Sequence, residues 1–181
     1  MKKIIVALAV LCAMAAGACR KNSATAKTPA VPNMTAARLA VPAFTTQDLD
    51  GNTVTNALFS RADVTVLNVW GTFCPPCIAE MPELGAWADA MPENVQIVGL
   101  ISDVRAKTDK DGIADAQKIL SDAHANFVNL IANADFSSFL QGVQFVPTTF
   151  LIDRDGVVIG EPIVGAQVPR YKQAVENYLG T

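Results

Sequence analysis

Cys74-Pro75-Pro76-Cys77 places two of the chain's four cysteines three residues apart, directly after an apolar run and ahead of a helix-forming stretch. A thiol must become a thiolate before it can attack a disulfide. A helix N-terminus offers unpaired N–H donors and partial positive charge, both of which favour the anion. A second cysteine one turn further on can close a disulfide or release a mixed one. Neither Pro75 nor Pro76 carries an N–H, so with Cys74 at the cap the Cys77 N–H is the main backbone donor left for its sulfur. A helix terminus supplies about 0.3–1 kcal/mol and at most about 2 kcal/mol, against ~1.4 kcal/mol per pKa unit. The expectation is a Cys74 thiol lowered in pKa, though not to an extreme. Three other readings compete at this point. Half a zinc site would want a second Cys/His pair. A copper carrier would want soft ligands and a well-placed His, and His124 is the only one, near the end of a predicted helix, where a surface or cap position is expected. A structural staple would close a loop too short to constrain the unfolded chain much.

The elements that must position the pair can be read around it. Val64–Trp70 is an apolar run of strand length, suited to a strand covered on both faces, and Pro75 to about Ala90 reads as a helix with proline at an allowed first position. Pro42 to Val54 forms a hairpin around Asp50-Gly51. Val95–Ile101 is a second buried strand and Asp103–Asp111 a charged loop. Gly112–Ala123 is a helix, Phe127–Ile131 a short strand and Phe136–Leu140 a short helix. Thr148–Asp153 and Val157–Glu161 flank Asp155-Gly156 as a hairpin, and Pro169–Leu179 closes as a helix. Strands interleaved with helices imply an α/β sandwich around a mixed sheet. Trp70 and Trp87 are expected to be packing residues.

Composition narrows the function classes. The chain has 181 residues, 51% hydrophobic and 17% charged, so one packed domain with short extras is expected rather than disorder. A net charge of −3 with no long basic run excludes a nucleic-acid footprint. A single His argues against a His-based metal centre. Lys2 and Lys3, the apolar stretch Ile4–Ala16 and the small residues Ala16-Gly17-Ala18 have the layout of an export signal. Ala16-Gly17-Ala18-Cys19 also resembles a permissive bacterial lipobox without its usual Leu, in which Cys19 would carry lipid. Ordinary cleavage after Ala18 is the alternative. Cys12, inside the apolar stretch, reads as a small hydrophobe. The polar, Ala/Thr/Pro-containing segment that follows reads as a tether, and about 16 such residues reach roughly 20–25 Å. The division is therefore 1–18 export signal, 19–37 flexible tether and 38–181 folded domain.

From about residue 40 onward the chain resembles the TlpA/ResA-like thiol-disulfide oxidoreductases of the thioredoxin superfamily. The residues carrying the resemblance are Val66-Leu67-Asn68-Val69-Trp70-Gly71-Thr72-Phe73-Cys74-Pro75-Pro76-Cys77, then Glu80-Met81-Pro82-Glu83-Leu84, then Val146-Pro147-Thr148-Thr149-Phe150-Leu151-Ile152-Asp153-Arg154-Asp155-Gly156, with Pro42-Ala43-Phe44-Thr45 ahead of Asp48-Leu49-Asp50-Gly51. The resemblance implies a thioredoxin-like fold: a central mixed sheet flanked by helices, an N-terminal hairpin, and a central helical insertion over Asp103–Ala125. It assigns Cys74 as the attacking thiol, Cys77 as the resolving thiol and Pro147 as a cis-proline facing them, with the Val146 backbone offered to an extended substrate segment. No cofactor is implied beyond a redox-active Cys74–Cys77 disulfide, and no metal.

Two departures from the pattern matter. Phe73 stands where Trp is common, keeping an apolar substrate wall but losing an N–H donor. Asn68 stands where thioredoxins carry a buried Asp, and an amide cannot accept the proton of Cys77. Glu80, one turn after Cys77 on the same helix face, can. Close to two sulfurs its pKa should rise.

The function the resemblance implies is an exported thiol-disulfide oxidoreductase, membrane-anchored through Cys19 or periplasmic. It would act as a reductant between a membrane thiol carrier and protein disulfides, with apocytochrome c or an oxidised repair enzyme as substrate classes. A peroxiredoxin-like peroxidase would need Thr three residues before the reactive cysteine, where this chain has Gly71. A non-enzymatic metal-carrier module is the remaining alternative.

Overall fold

A computed structural model describes residues 39–180 apart from Arg105. The expected export signal, Cys12, Cys19 and the tether lie outside the described residues. Among the described residues no helix is long and apolar enough to cross a membrane.

The sheet is built around β3 (Val64–Trp70), in which all seven residues are buried. Its order is β5 (Val128–Ile131), β4 (Val95–Ile101), β3, β6 (Thr148–Ile152) and β7 (Val158–Val164). β3, β4 and β5 run parallel, and β6 and β7 are antiparallel to their neighbours. A parallel pair needs a crossover, and helices supply it. α1 (Pro75–Ala90) joins β3 to β4 and α2 (Lys110–Asp122) lies between β4 and β5. A 3-10 turn and the short α3 (Ser137–Leu140) precede β6, and α4 (Val168–Leu179) ends the described chain. The N-terminal hairpin is a separate two-stranded sheet of β1 (Thr45–Gln47) and β2 (Thr53–Thr55).

Period-2 alternation divides the core. Val64, Val66 and Trp70 of β3 pack with Met81 and Leu84 of α1, Leu120 of α2 and Val175 of α4. Leu67 and Val69 face the other way, onto Phe44, Phe59, Phe136 and Phe150. Asn68 shares the parity of Val66 and Trp70, so the strand directs an amide into the layer that holds α1. In register it lies opposite Thr149 of β6 and Gly99 of β4.

Gly99 is required by close approach rather than by its dihedral angles. Trp70 Nε1 donates to Asn129 Oδ1 at 2.9 Å, and a Cβ on Gly99 would collide with the Asn129 side chain and sit 3.0 Å from Trp70 Nε1. Trp70 is thus a packing residue, as expected, with its one polar atom satisfied.

The expected elements recur with shifted ends. α2 starts two residues earlier than Gly112 because Asp109 caps it, accepting the Gly112 N–H at 3.0 Å. β7 runs on to Val164 instead of stopping at Glu161, since an edge strand tolerates Gly160 and Pro162. The hairpin strands are only three residues long, and a 3-10 turn over Asn56–Arg61, absent from the sequence reading, places buried Leu58 and Phe59. His124 is exposed directly after α2 with φ 52°, the helix-terminating position expected of it.

Gly99→Ala should lose about 2–4 kcal/mol, combining overpacking with an unpartnered indole N–H. Gly142→Ala, whose Cβ would meet only the Phe139 carbonyl oxygen at 3.4 Å, should change stability by less than about 0.5 kcal/mol. Urea unfolding of the two variants checks the contrast.

Candidate active site

β3 ends at Trp70, and the chain turns through Gly71–Phe73 into α1. Cys74 N–H donates to the Gly71 carbonyl at 3.2 Å. The turn is held from outside by Asp103, just past β4, whose carboxylate accepts the Thr72 N–H at 3.0 Å and the Thr72 hydroxyl at 2.5 Å. Sequence reasoning missed Asp103. The signal was present, because the loops after two adjacent parallel strands emerge at the same sheet edge.

Cys74 is the N-cap of α1, with Pro75 and Pro76 in the first turn. Its Sγ accepts the Cys77 N–H at 3.2 Å, the donor that two prolines leave available. Cys74 and Cys77 are joined as a disulfide. The two are unequal: Cys74 is 4% exposed and Cys77 is fully buried. Both cysteines are therefore buried, and only Cys74 keeps a trace of solvent contact.

The Val146–Pro147 peptide bond is cis, as the resemblance implied. The Val146 carbonyl oxygen lies 3.5 Å from Cys74 Sγ. The oxidised sulfur has no proton to give it, whereas a reduced thiol would. Phe73, next to Cys74 in sequence, is 68% exposed, and Phe145, next to Val146, is similarly open, so both rings face solvent. Phe73 and Val146 also line a groove of about 640 Å³ together with Asp103, Asn133 and Leu140.

Glu80 is 5% exposed and belongs to the buried layer under the sheet. Its Oε1 accepts from Asn68 Nδ2 at 2.8 Å, and Asn68 Nδ2 also donates to Thr149 Oγ1 at 3.0 Å. Its Oε2 lies 3.1 Å from the hydroxyl oxygen of Tyr171 on α4. Burial pushes the Glu80 carboxyl up to about 7. The Asn68 amide, and Tyr171 so far as its hydroxyl donates to the carboxylate, act in the opposite sense, and the charge of Glu83 adds to the rise. The expected rise is therefore present, but in this oxidised state its main cause is desolvation rather than repulsion from thiolates. Thr149 and Tyr171 were not foreseen. The stripe Val168, Tyr171, Val175 on the last helix was the available signal for Tyr171, because a buried tyrosine needs a partner for its hydroxyl.

Among the described residues no group of three or more His, Cys, Asp or Glu is arranged to hold a metal ion.

The redoxin family model matches residues 36–176. This chain belongs to the redoxin family. It is 34% identical over 139 residues to the thiol-disulfide oxidoreductase ResA of Bacillus thuringiensis, covering 76% of this chain and 73% of that one. It is 35% identical over 120 residues to the thiol:disulfide interchange protein DsbE of Haemophilus influenzae, which is 65% of this chain but 61% of that relative, less than two thirds of its length. Among solved structures, a putative thiol:disulfide interchange protein DsbE from Chlorobium tepidum superposes with a TM-score of 0.57 at 28% identity, over 78% of this chain and 94% of that one. The fold is thioredoxin-like, with the mixed five-stranded sheet, flanking helices and N-terminal hairpin that the resemblance implied.

The raised Glu80 carboxyl has a consequence for stability. Its folded pKa of about 7 lies above the ordinary value of 4.5, so the folded protein holds a proton that the unfolded chain gives up between those values. The stabilisation is present below pH 4.5 and is lost as pH rises through about 7. The oxidised parent should lose stability, on the order of 3 kcal/mol at most, relative to Glu80→Gln between pH 4.5 and 8. Thermal unfolding across that range, with the disulfide intact in both proteins, measures the difference.

Proposed function

We propose that this chain is an exported thiol-disulfide oxidoreductase that exchanges disulfides with protein partners through Cys74 and Cys77. The observation that carries the reading is the inequality of the pair. Cys74 caps α1, receives the one N–H its helix turn can offer and keeps the pair's only contact with solvent, while Cys77 is fully buried. The interchange and oxidoreductase names of the relatives support the same chemistry.

In the reduced enzyme the Cys74 thiolate attacks a substrate disulfide. One substrate sulfur leaves as thiolate, and Cys74 is joined to the other. Cys77 gives its proton to Glu80 and attacks the Cys74 sulfur, which closes the intramolecular disulfide and expels the second substrate sulfur. The substrate disulfide gains two electrons and the enzyme dithiol loses two. Glu80 suits this step because a proton acceptor works best with a pKa near the working pH.

Substrate binds across Phe73, Val146 and Pro147. The Val146 backbone pairs with an extended segment of the partner, and the exposed Phe73 ring covers the apolar side chains beside the target cysteine. The physiological direction is reduction, with electrons arriving from a membrane thiol carrier. Cys19 carries a lipid after signal cleavage and residues 19–37 form the tether, so the domain works on the extracytoplasmic side of the membrane. Gly71 in place of Thr, packed close to the Phe73 ring and Asp103, weighs against peroxide chemistry.

Cys77→Ser should accumulate a mixed disulfide through Cys74 with an extracytoplasmic protein, while Cys74→Ser should accumulate little. Non-reducing gels of cells expressing each variant test this, and equal trapping by both would refute the assignment. For the anchor, intact-mass analysis of the mature protein should show a diacylglyceryl group on Cys19. An unmodified N-terminus would leave a soluble exported domain.

A further inference from the structure

The Tyr171 hydroxyl has one proton and two acceptors within reach. Its oxygen lies 2.6 Å from the Gly165 carbonyl oxygen and 3.1 Å from Glu80 Oε2. It also receives the Gln167 N–H at 3.1 Å. The shorter contact takes the proton. Tyr171 then turns a lone pair toward Glu80, and two oxygens 3.1 Å apart are attractive only if one of them carries hydrogen. A protonated Glu80 supplies it. Glu80 then donates to Tyr171, Tyr171 donates to Gly165, and Glu80 Oε1 remains a carbonyl-type acceptor for Asn68. An ionised Glu80 must instead face the lone pair or take the proton away from Gly165.

We propose that Tyr171 is a positioning residue that holds the proton on Glu80, by committing its own hydroxyl proton to the Gly165 carbonyl and offering Glu80 only an acceptor. Tyr171 is fully buried. Burial pushes its phenol up to about 12, so it keeps its proton wherever Glu80 titrates. Gly165 is itself fixed, since its N–H donates to the Pro147 carbonyl at 2.8 Å. The contacts thus run from the cis-proline through Gly165 and Tyr171 to Glu80. The other groups around Glu80 do not supply the same effect. β3 and β6 contribute Asn68 and Thr149, neither of which titrates. On α1 the two cysteines are bonded to each other. Glu83, also on α1, is held by Lys172 of α4 at 3.0 Å.

A hydrogen bond to the neutral form of an acid raises its pKa, and a bond to the charged form lowers it. The sign of the effect therefore separates the two roles Tyr171 could have. Oxidised protein with carbon-13-labelled glutamate is titrated by NMR, with the Glu80 carboxyl resonance assigned by its loss in Glu80→Gln. Tyr171→Phe keeps the ring and removes the hydroxyl. The Glu80 midpoint should fall by about half a unit to one unit, a roughly three- to tenfold loss of proton affinity. A midpoint that rises makes Tyr171 a donor to the carboxylate and overturns the proposal. An unmoved midpoint shows that the Tyr171 hydroxyl does not bias the Glu80 proton and also overturns it.

If Tyr171→Phe does not fold, the parent protein still decides the matter. The Gly165 carbonyl carbon should hold its shift while Glu80 titrates. A change at Gly165 with the Glu80 midpoint would show the tyrosine proton swinging to the carboxylate, against the proposal. The kinetic consequence rests on Glu80 being the proton acceptor for Cys77. The pH midpoint for release of the mixed disulfide should then move down together with the carboxyl midpoint. A carboxyl midpoint that falls without any change in release supports the role of Tyr171 and refutes that of Glu80.

Discussion

The burial of β3 on both faces is the constraint on which the rest of the molecule depends. A central strand with no solvent-facing side can end only where the chain leaves the sheet, and here it leaves at Trp70. Helix α1 must start within a few residues to cover the apolar face that Val64, Val66 and Trp70 present. Cys74 therefore falls at the helix cap, and its sulfur receives the only first-turn N–H that Pro75 and Pro76 leave in place. The same strand carries Asn68 inward at the parity of its hydrophobic neighbours. A polar side chain in that layer has to find polar company, and Glu80, Thr149 and, through Glu80, Tyr171 provide it.

Two opposed electrostatic environments result, less than two turns of helix apart. At the cap, an N–H and the helix terminus favour negative charge on Cys74. Below it, burial disfavours negative charge on Glu80. In the proposed exchange the first environment would favour the thiolate of Cys74, and the second would give Glu80 a proton affinity near neutrality, so that it can both take and release the proton of Cys77. A single helix provides both environments because its N-terminus carries the free N–H beside Cys74, while one face of it, with Cys77, Glu80, Met81 and Leu84, is buried against the sheet.

The loops at this sheet edge complete the arrangement. Asp103 ties down the turn before Cys74, and the cis Val146–Pro147 segment brings a backbone carbonyl to the Cys74 sulfur. Both come from parts of the chain remote from the dithiol in sequence. The sheet order places them beside it: β4 and β6 are the two neighbours of β3, so the loops at their ends flank the loop that carries the cysteines.

Local pattern in the sequence determined a good deal by itself. The apolar run Val64–Trp70, the prolines after Cys74 and the alternation of strand-like and helical stretches specify the fold and the placement of both cysteines, since each is a short-range consequence of hydrophobic period and backbone chemistry. The position of Glu80 one turn beyond Cys77 follows from helix geometry alone. Its burial does not, because a helix has a face toward every neighbour, and only the packing of α1 against β3 and α4 decides which face is dry. The bounds of β7 and α2 shifted for local reasons: an edge strand accepts Gly160 and Pro162, and α2 starts where Asp109 caps it by accepting the Gly112 N–H. Asp103, Thr149 and Tyr171 reach the site across separations of 31, 81 and 91 residues. Contacts at that range carry no periodic mark in the chain, and only the tertiary structure could decide them.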